Sequence, residues 1–162
     1  MDMGEGDEQA REYVEALASW LRSSAESLAV GGDAVSHSRA AFGASSLFGP
    51  APCVRAGPTV EEDVAGKVAV VSRAEGAAAE PALNCTDMAL AASKKGAVGV
   101  IAINDGDYAG AGGATAAPGA ERVTVPVVCI EASAFEAGAE AELTPTEMAA
   151  ALLAEAAALE EL

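Results

Sequence analysis

The chain has 162 residues, a formal charge of −16, 51% apolar residues and only 4% aromatics. That is long enough for one packed domain with terminal additions. Its charge has the wrong sign for nucleic acid or an anionic membrane surface, both of which need clustered Lys and Arg. The cysteines, Cys53, Cys85 and Cys129, are odd in number and too widely spaced for a Cys-x-x-Cys motif. A disulfide framework and a structural zinc site are therefore not expected; buried free thiols are the default for such residues. The acidity reads as a solubility device, or as a surface that selects basic partners.

The first eleven residues, MDMGEGDEQAR, are acidic and lack the apolar core of a leader, and no run reaches bilayer-spanning length. A cytoplasmic location follows if Met1 is the true start, and a secretory or endomembrane lumen if a leader lies upstream. Residues 7–29 carry Tyr13, Val14, Leu17, Trp20, Leu21, Ala25 and Leu28 at helical spacing, which predicts an amphipathic helix. Acidic residues stand near its start, and Gly31-Gly32 stops it. From Phe42 to Pro58 glycine, proline and serine dominate, predicting turns and irregular edge strands rather than long elements.

Next comes the most informative stretch. Lys67–Ser72 and Val98–Asn104 are almost continuously apolar and flank a helical segment, Asn84–Lys95. That arrangement suits buried parallel strands joined by a crossover helix. Asn84 is a good N-cap, Lys94 and Lys95 suit the helix C-terminus, and Gly96 suits a left-handed stop. Arg73–Pro81 reads as a small-residue loop. After Asn104, the run DGDYAGAGGATAAPGAER has no periodicity and reads as a long loop. Val123–Glu131 is a third strand, in which Pro126 marks an edge, a bulge or the point where the strand begins. Thr144, Pro145 and Glu147 spell the start of a last helix carrying Met148, Leu152, Leu159 and Leu162 in one stripe.

Chemistry is thin. His37 is the single histidine, and its serine neighbours point away from its ring in an extended chain, so no nucleophile–base set is legible. Asn104-Asp105-Gly106-Asp107 lacks the later ligands of a calcium loop, and the glycines at 110, 112 and 113 are not followed by Gly-Lys-Ser/Thr. Arg73, at a strand end beside Glu75, either holds a ligand carboxylate or pairs with a neighbouring acid.

Taken in order, Phe42-Gly43, Cys53, Gly66-Lys67-Val68, Arg73, Ala92 before Gly96-Ala97, the apolar strand ending at Asn104, and Val125-Pro126-Val127-Val128 resemble the protease-associated (PA) domain, over residues 34–135. The chain departs from the family in lacking its Arg-Gly-x-Cys-x-Phe run and its helical lysine, whose place Met88 takes. The resemblance implies an α/β (α+β) fold, a β-sandwich or barrel with flanking short helices over 31–140. An amphipathic helix is expected on each side, at 1–30 and 141–162.

The resemblance also implies a non-catalytic module that holds protein or peptide ligands, with no catalytic residue, metal or cofactor. The expected ligand-binding residues are Phe42, Gly43, Arg73, Asn104, Asp105, Asp107, Tyr108 and Arg122. The expected binding surface combines the Phe42–Pro52 segment, the loop Asp105–Arg122 and the strand edge near Val125–Val128. By the same resemblance Cys53 and Cys85 are the pair to consider for a disulfide. The terminal stripes either pack on the domain or bring two copies together, and an accessory fragment of a larger peptidase is a further alternative.

Overall fold

The computed structural model describes residues 26–44, 46–106, 113–132 and 139–145, together with Ala10, Tyr13, Ala154, Glu155, Ala158 and Leu159. The chain divides into two compact units, Leu28–Thr144 and Met1–Ser27 with Pro145–Leu162. In the second of these, the six isolated residues are all helical and exposed. The rest of both terminal stripes, and the capping residue Glu147, lie outside the described residues.

The main unit is α+β. Its strands are β1 (Glu26–Val30), β2 (Asp33–Val35), β3 (Ser38–Arg39), β4 (Phe48–Arg55), β5 (Val68–Ser72), β6 (Gly99–Asn104), β7 (Val127–Glu131) and β8 (Glu140–Pro145). Its helices are α1 (Arg73–Ala78) and α2 (Cys85–Lys94). One mixed sheet takes the order β2-β1-β8-β4-β5-β6-β7-β3, with β4, β5, β6 and β7 parallel and antiparallel partners outside them. Every residue of β5 and β6 is buried, as continuous apolar runs covered on both faces require.

The two faces hold separate cores. On one, Ala69, Val71, Val100, Ala102, Val127 and Cys129 pack under Cys85, Met88, Ala89 and Ala92 of α2. The other joins Leu28 and Val30 of β1 and Leu143 of β8 to Val70, Ile101, Val128 and Ile130, and among the described residues every buried member comes from a strand. In a flat sheet β1 and β7, five strands apart, would stand roughly 24 Å from each other. Their sharing of one buried cluster fits the curl of the sheet into a half-barrel. Phe48, one of three phenylalanines, fills this side against Gly99, where an added Cβ would come within 2.6 Å of its ring.

Five sequence expectations need correction. Residues 26–29 are not the end of a helix but part of β1, with Leu28 and Val30 buried in alternation. Gly31 and Gly32, both at positive φ, make the two-residue turn to β2 rather than a helix stop. Thr144-Pro145 ends a strand, β8, so Pro145 is not the first residue of a helix. The proline-rich 48–55 segment is an eight-residue strand inside the sheet rather than at an edge, and its register against β8 shifts between Phe48 and Ala51 as the expected irregularity requires. Finally, Arg73–Ala78 is a helix, not a loop. The crossover prediction stands: α2 runs Cys85–Lys94 behind an Asn84 cap, and Gly96 takes positive φ. Pro126 stands just before β7, where the strand begins.

Candidate functional site

Parallel strands deliver their carboxyl ends to one edge of a sheet, which is where open α/β sheets assemble binding residues. Here that edge receives Arg55 from β4, Ser72 from β5, Asn104 from β6 and Glu131 from β7. The register sets Arg55 opposite Val70, Ser72 opposite Ile103 and Asn104 opposite Glu131. Helix α1 starts directly from β5, so its first turn lies on the same edge.

Ser72 is the N-cap of α1, and its hydroxyl accepts the Glu75 N–H at 3.2 Å. That hydroxyl donates in turn to Asp105 Oδ2, while the Ala74 N–H donates to Asp105 Oδ1 at 2.9 Å. A carboxylate from the end of β6 thus fastens the first turn of α1, where the helix dipole also favours negative charge. Partial burial works against ionisation of Asp105. The Ser72 hydroxyl, the Ala74 N–H, its own N–H and the nearby Arg55 outweigh that cost and hold its pKa below the ordinary aspartate value.

Arg73, half-buried, donates from Nη1 to Oδ1 of the buried Asn104 at 2.8 Å. This hydrogen bond fixes the plane and direction of the guanidinium at the edge. Arg55 and Glu75 pair at 3.5 Å on the outside of the same turn, an exposed contact worth little to stability. The small residues of α1 permit its close seating: an added Cβ at Gly76 would come within 2.6 Å of the Leu83 carbonyl and 2.9 Å of the Met88 sulfur.

Of the expected ligand-binding residues, Arg73, Asn104 and Asp105 come together here. Asp107 and Tyr108 lie outside the described residues. Phe42, Gly43 and Arg122 belong to the opposite end of the parallel strands. The Ala40 N–H donates to Val127 O and the Ala44 N–H to Val125 O, so Phe42 and Gly43 sit where β7 begins. Gly43 has φ +97°, and a Cβ there would approach the Val125 carbonyl to 2.9 Å, which is why glycine is needed.

The segment from Ala117 to Thr124 follows α2 lengthwise. The Ala117 N–H donates to Thr86 near the start of the helix, and the Thr124 and Ser93 hydroxyls meet at 2.7 Å near its end. Exposed Arg122 is therefore beside the end of α2, away from Arg73. The expected open edge at Val125–Val128 is also corrected, because β3 pairs with β7 through Ser38↔Cys129 and Arg39↔Val128.

All three thiols are free and buried. Cys53 packs in the strand-only core and Cys85 in the helical one. The sheet stands between them, so the Cys53–Cys85 pair is not formed. Among the described residues no three His, Cys, Asp or Glu side chains gather as a metal site, and no helix is long and apolar enough to cross a membrane.

The sequence reading missed α1 and its anchor. The signal was present as Ser72-x-x-Glu75, the pattern of a helix start. Arg55 and Glu131 gave no local signal, since only the register of distant strands brings them to the edge.

Among solved structures, an aminopeptidase from Aneurinibacillus sp. strain AM-1 superposes with a TM-score of 0.56 at 20% identity, over 75% of this chain and 30% of that one. BSAP, a zinc aminopeptidase from Bacillus subtilis, gives 0.54 at 20% identity, over 82% of this chain and 36% of its own. This likeness is one of fold, and the chain spans about a third of the length of those proteins. Curated proteins yield no match. The sequence model of the PA domain matches residues 27–138, a span that takes in the sheet from β1 to β7, both helices and the whole carboxyl edge. The chain belongs to the PA domain family.

Proposed function

We propose that this PA domain is a non-catalytic accessory module of a peptidase, and that it holds extended protein or peptide segments at the carboxyl edge of its parallel strands. The observation that carries this reading is the convergence of Arg55, Ser72, Arg73, Asn104, Asp105 and Glu131 on one edge. The hydrogen-bonded Arg73–Asn104 pair is already oriented before any ligand arrives. A guanidinium whose direction is set in advance loses little freedom on binding a carbonyl or carboxylate. Glu75 and Glu131, both exposed, give the rim a negative bias that favours Lys and Arg side chains flanking the held segment. The aminopeptidase folds found at low identity support the peptidase setting.

Fluorescence anisotropy with basic, neutral and acidic peptide pools tests the reading. Basic pools should bind best, and Arg73→Ala should weaken them about tenfold, the loss of one charge-assisted hydrogen bond. Equal recovery of all three pools, or no effect of Arg73→Ala, contradicts it. The purified chain should add no peptide hydrolysis to the reaction.

A further inference from the structure

The two cysteines of the helical core are placed in a way that the binding role does not use. Cys85 is the first residue of α2, and Cys129 is central in β7, two residues before its end. Both lie in the cluster between α2 and the sheet, 5% and 0% exposed, while Cys53 lies on the other side. The Cys85 and Cys129 thiols are close enough to act on each other's ionisation. Two buried thiols in one cluster, one at a helix start and one on the strand beneath it, are placed as a disulfide requires of its partners.

We propose that Cys85 and Cys129 are a disulfide-forming pair, which a small-molecule disulfide such as oxidised glutathione converts to a cystine fastening the start of α2 to β7. The exchange balances without any other reactant. The Cys129 thiolate, reached when the cluster opens locally, attacks one sulfur of the glutathione disulfide and releases one glutathione. Cys85 then attacks the Cys129 sulfur of the mixed disulfide and displaces the second. Two protein thiols are oxidised, one disulfide is reduced, and each thiol proton ends on a departing glutathione thiolate.

The surroundings suit these roles. The Cys85 thiol lowers the Cys129 pKa to about 7 against the opposing effect of burial, with help from the Ala114 N–H and the Arg73 charge. The Cys129 thiol, together with burial, raises Cys85. Cys129 is thus the readier thiolate for the first attack. Cys53, raised to about 11 by burial, has no such neighbour among the thiols and is the internal control.

The test is a thiol map of the full chain. The protein is equilibrated in glutathione buffers from reducing to oxidising over the hours that uncatalysed exchange takes. It is then quenched in acid, alkylated under denaturing conditions and digested without reductant for mass spectrometry. The expected result is a Cys85–Cys129 linked peptide, lighter by two hydrogens than its reduced parts, with Cys53 alkylated throughout. The Cys53→Ser variant should give the same link, and dithiothreitol should remove it. Alkylation of Cys85 and Cys129 at every buffer poise overturns the proposal, as does a bond that joins Cys53 or two chains.

Discussion

Replacing Asp105 isolates the contact that builds the candidate edge. Its carboxylate accepts one hydrogen bond from the Ser72 hydroxyl and one from the Ala74 N–H. Hydrogen bonds to a charged group contribute about 1.5 kcal/mol or more each. Asp105 is only partly buried, so water replaces some of what Asp105→Ala removes, and a net loss of about 2 kcal/mol follows. Asp105→Asn keeps an acceptor and loses the charge, and should cost about half as much.

Urea unfolding followed by circular dichroism measures both variants. With a slope of about 2 kcal/mol per molar urea, Asp105→Ala should lower the midpoint by roughly 1 M without changing the slope. The pH dependence has a definite sign. A carboxyl whose folded pKa lies below its unfolded value contributes stability above the unfolded pKa and loses it as pH falls through the folded one. The difference between wild type and Asp105→Ala should therefore be flat near neutrality and shrink below about pH 4. An Asp105→Ala midpoint equal to wild type, or a difference that grows on acidification, would refute the anchoring role.

Two further substitutions probe the frame that carries the edge. Phe48→Ala should destabilise by about 3 kcal/mol or more in thermal or urea unfolding, because the ring is 5% exposed and fills the strand-only core. Gly99→Ala should be damaging alone but much less so in the Phe48→Ala background, since the new methyl would occupy space the ring held. Asn84→Ala should cost about 1 kcal/mol, because Asn84 and Asp87 cap the start of α2 reciprocally at 2.8 and 3.1 Å.

The parts of the fold legible in sequence were those whose burial is two-sided. β5, β6 and β7 are covered on both faces, so their apolar runs have no competing interpretation, and α2 announces itself by Asn84 and Gly96. β1 was hidden because Leu28 continues the helical spacing of the residues before it, while Gly31-Gly32 serves a hairpin as well as a helix stop. β4 was hidden by its prolines. The Cys53 N–H donates to Ala139 on the β8 side, and N–H groups alternate along a strand, so the Pro52 nitrogen faces β5. Pairing with β5 begins only at Cys53↔Val68, so Pro52 forfeits no ladder bond.

The same distinction governs the site. Arg73, Asn104 and Asp105 were identifiable because they end apolar strands within the family pattern. The separation of Phe42, Gly43 and Arg122 from them follows from strand direction, which local sequence does not encode. The Asp105 anchor spans 33 residues to Ser72, and the meeting of Cys85 with Cys129 depends on how α2 lies on the sheet.

The most direct measurement is a backbone amide NMR titration of the chain with a basic peptide selected from the pools. Shift changes should gather on Ser72–Glu75, Asn104–Gly106 and Glu131, and Arg73→Ala should shrink them severalfold at the same peptide concentration. Changes confined to β2, β3 or the Phe42–Gly43 turn, or an unchanged response in Arg73→Ala, would contradict a ligand held at the carboxyl edge.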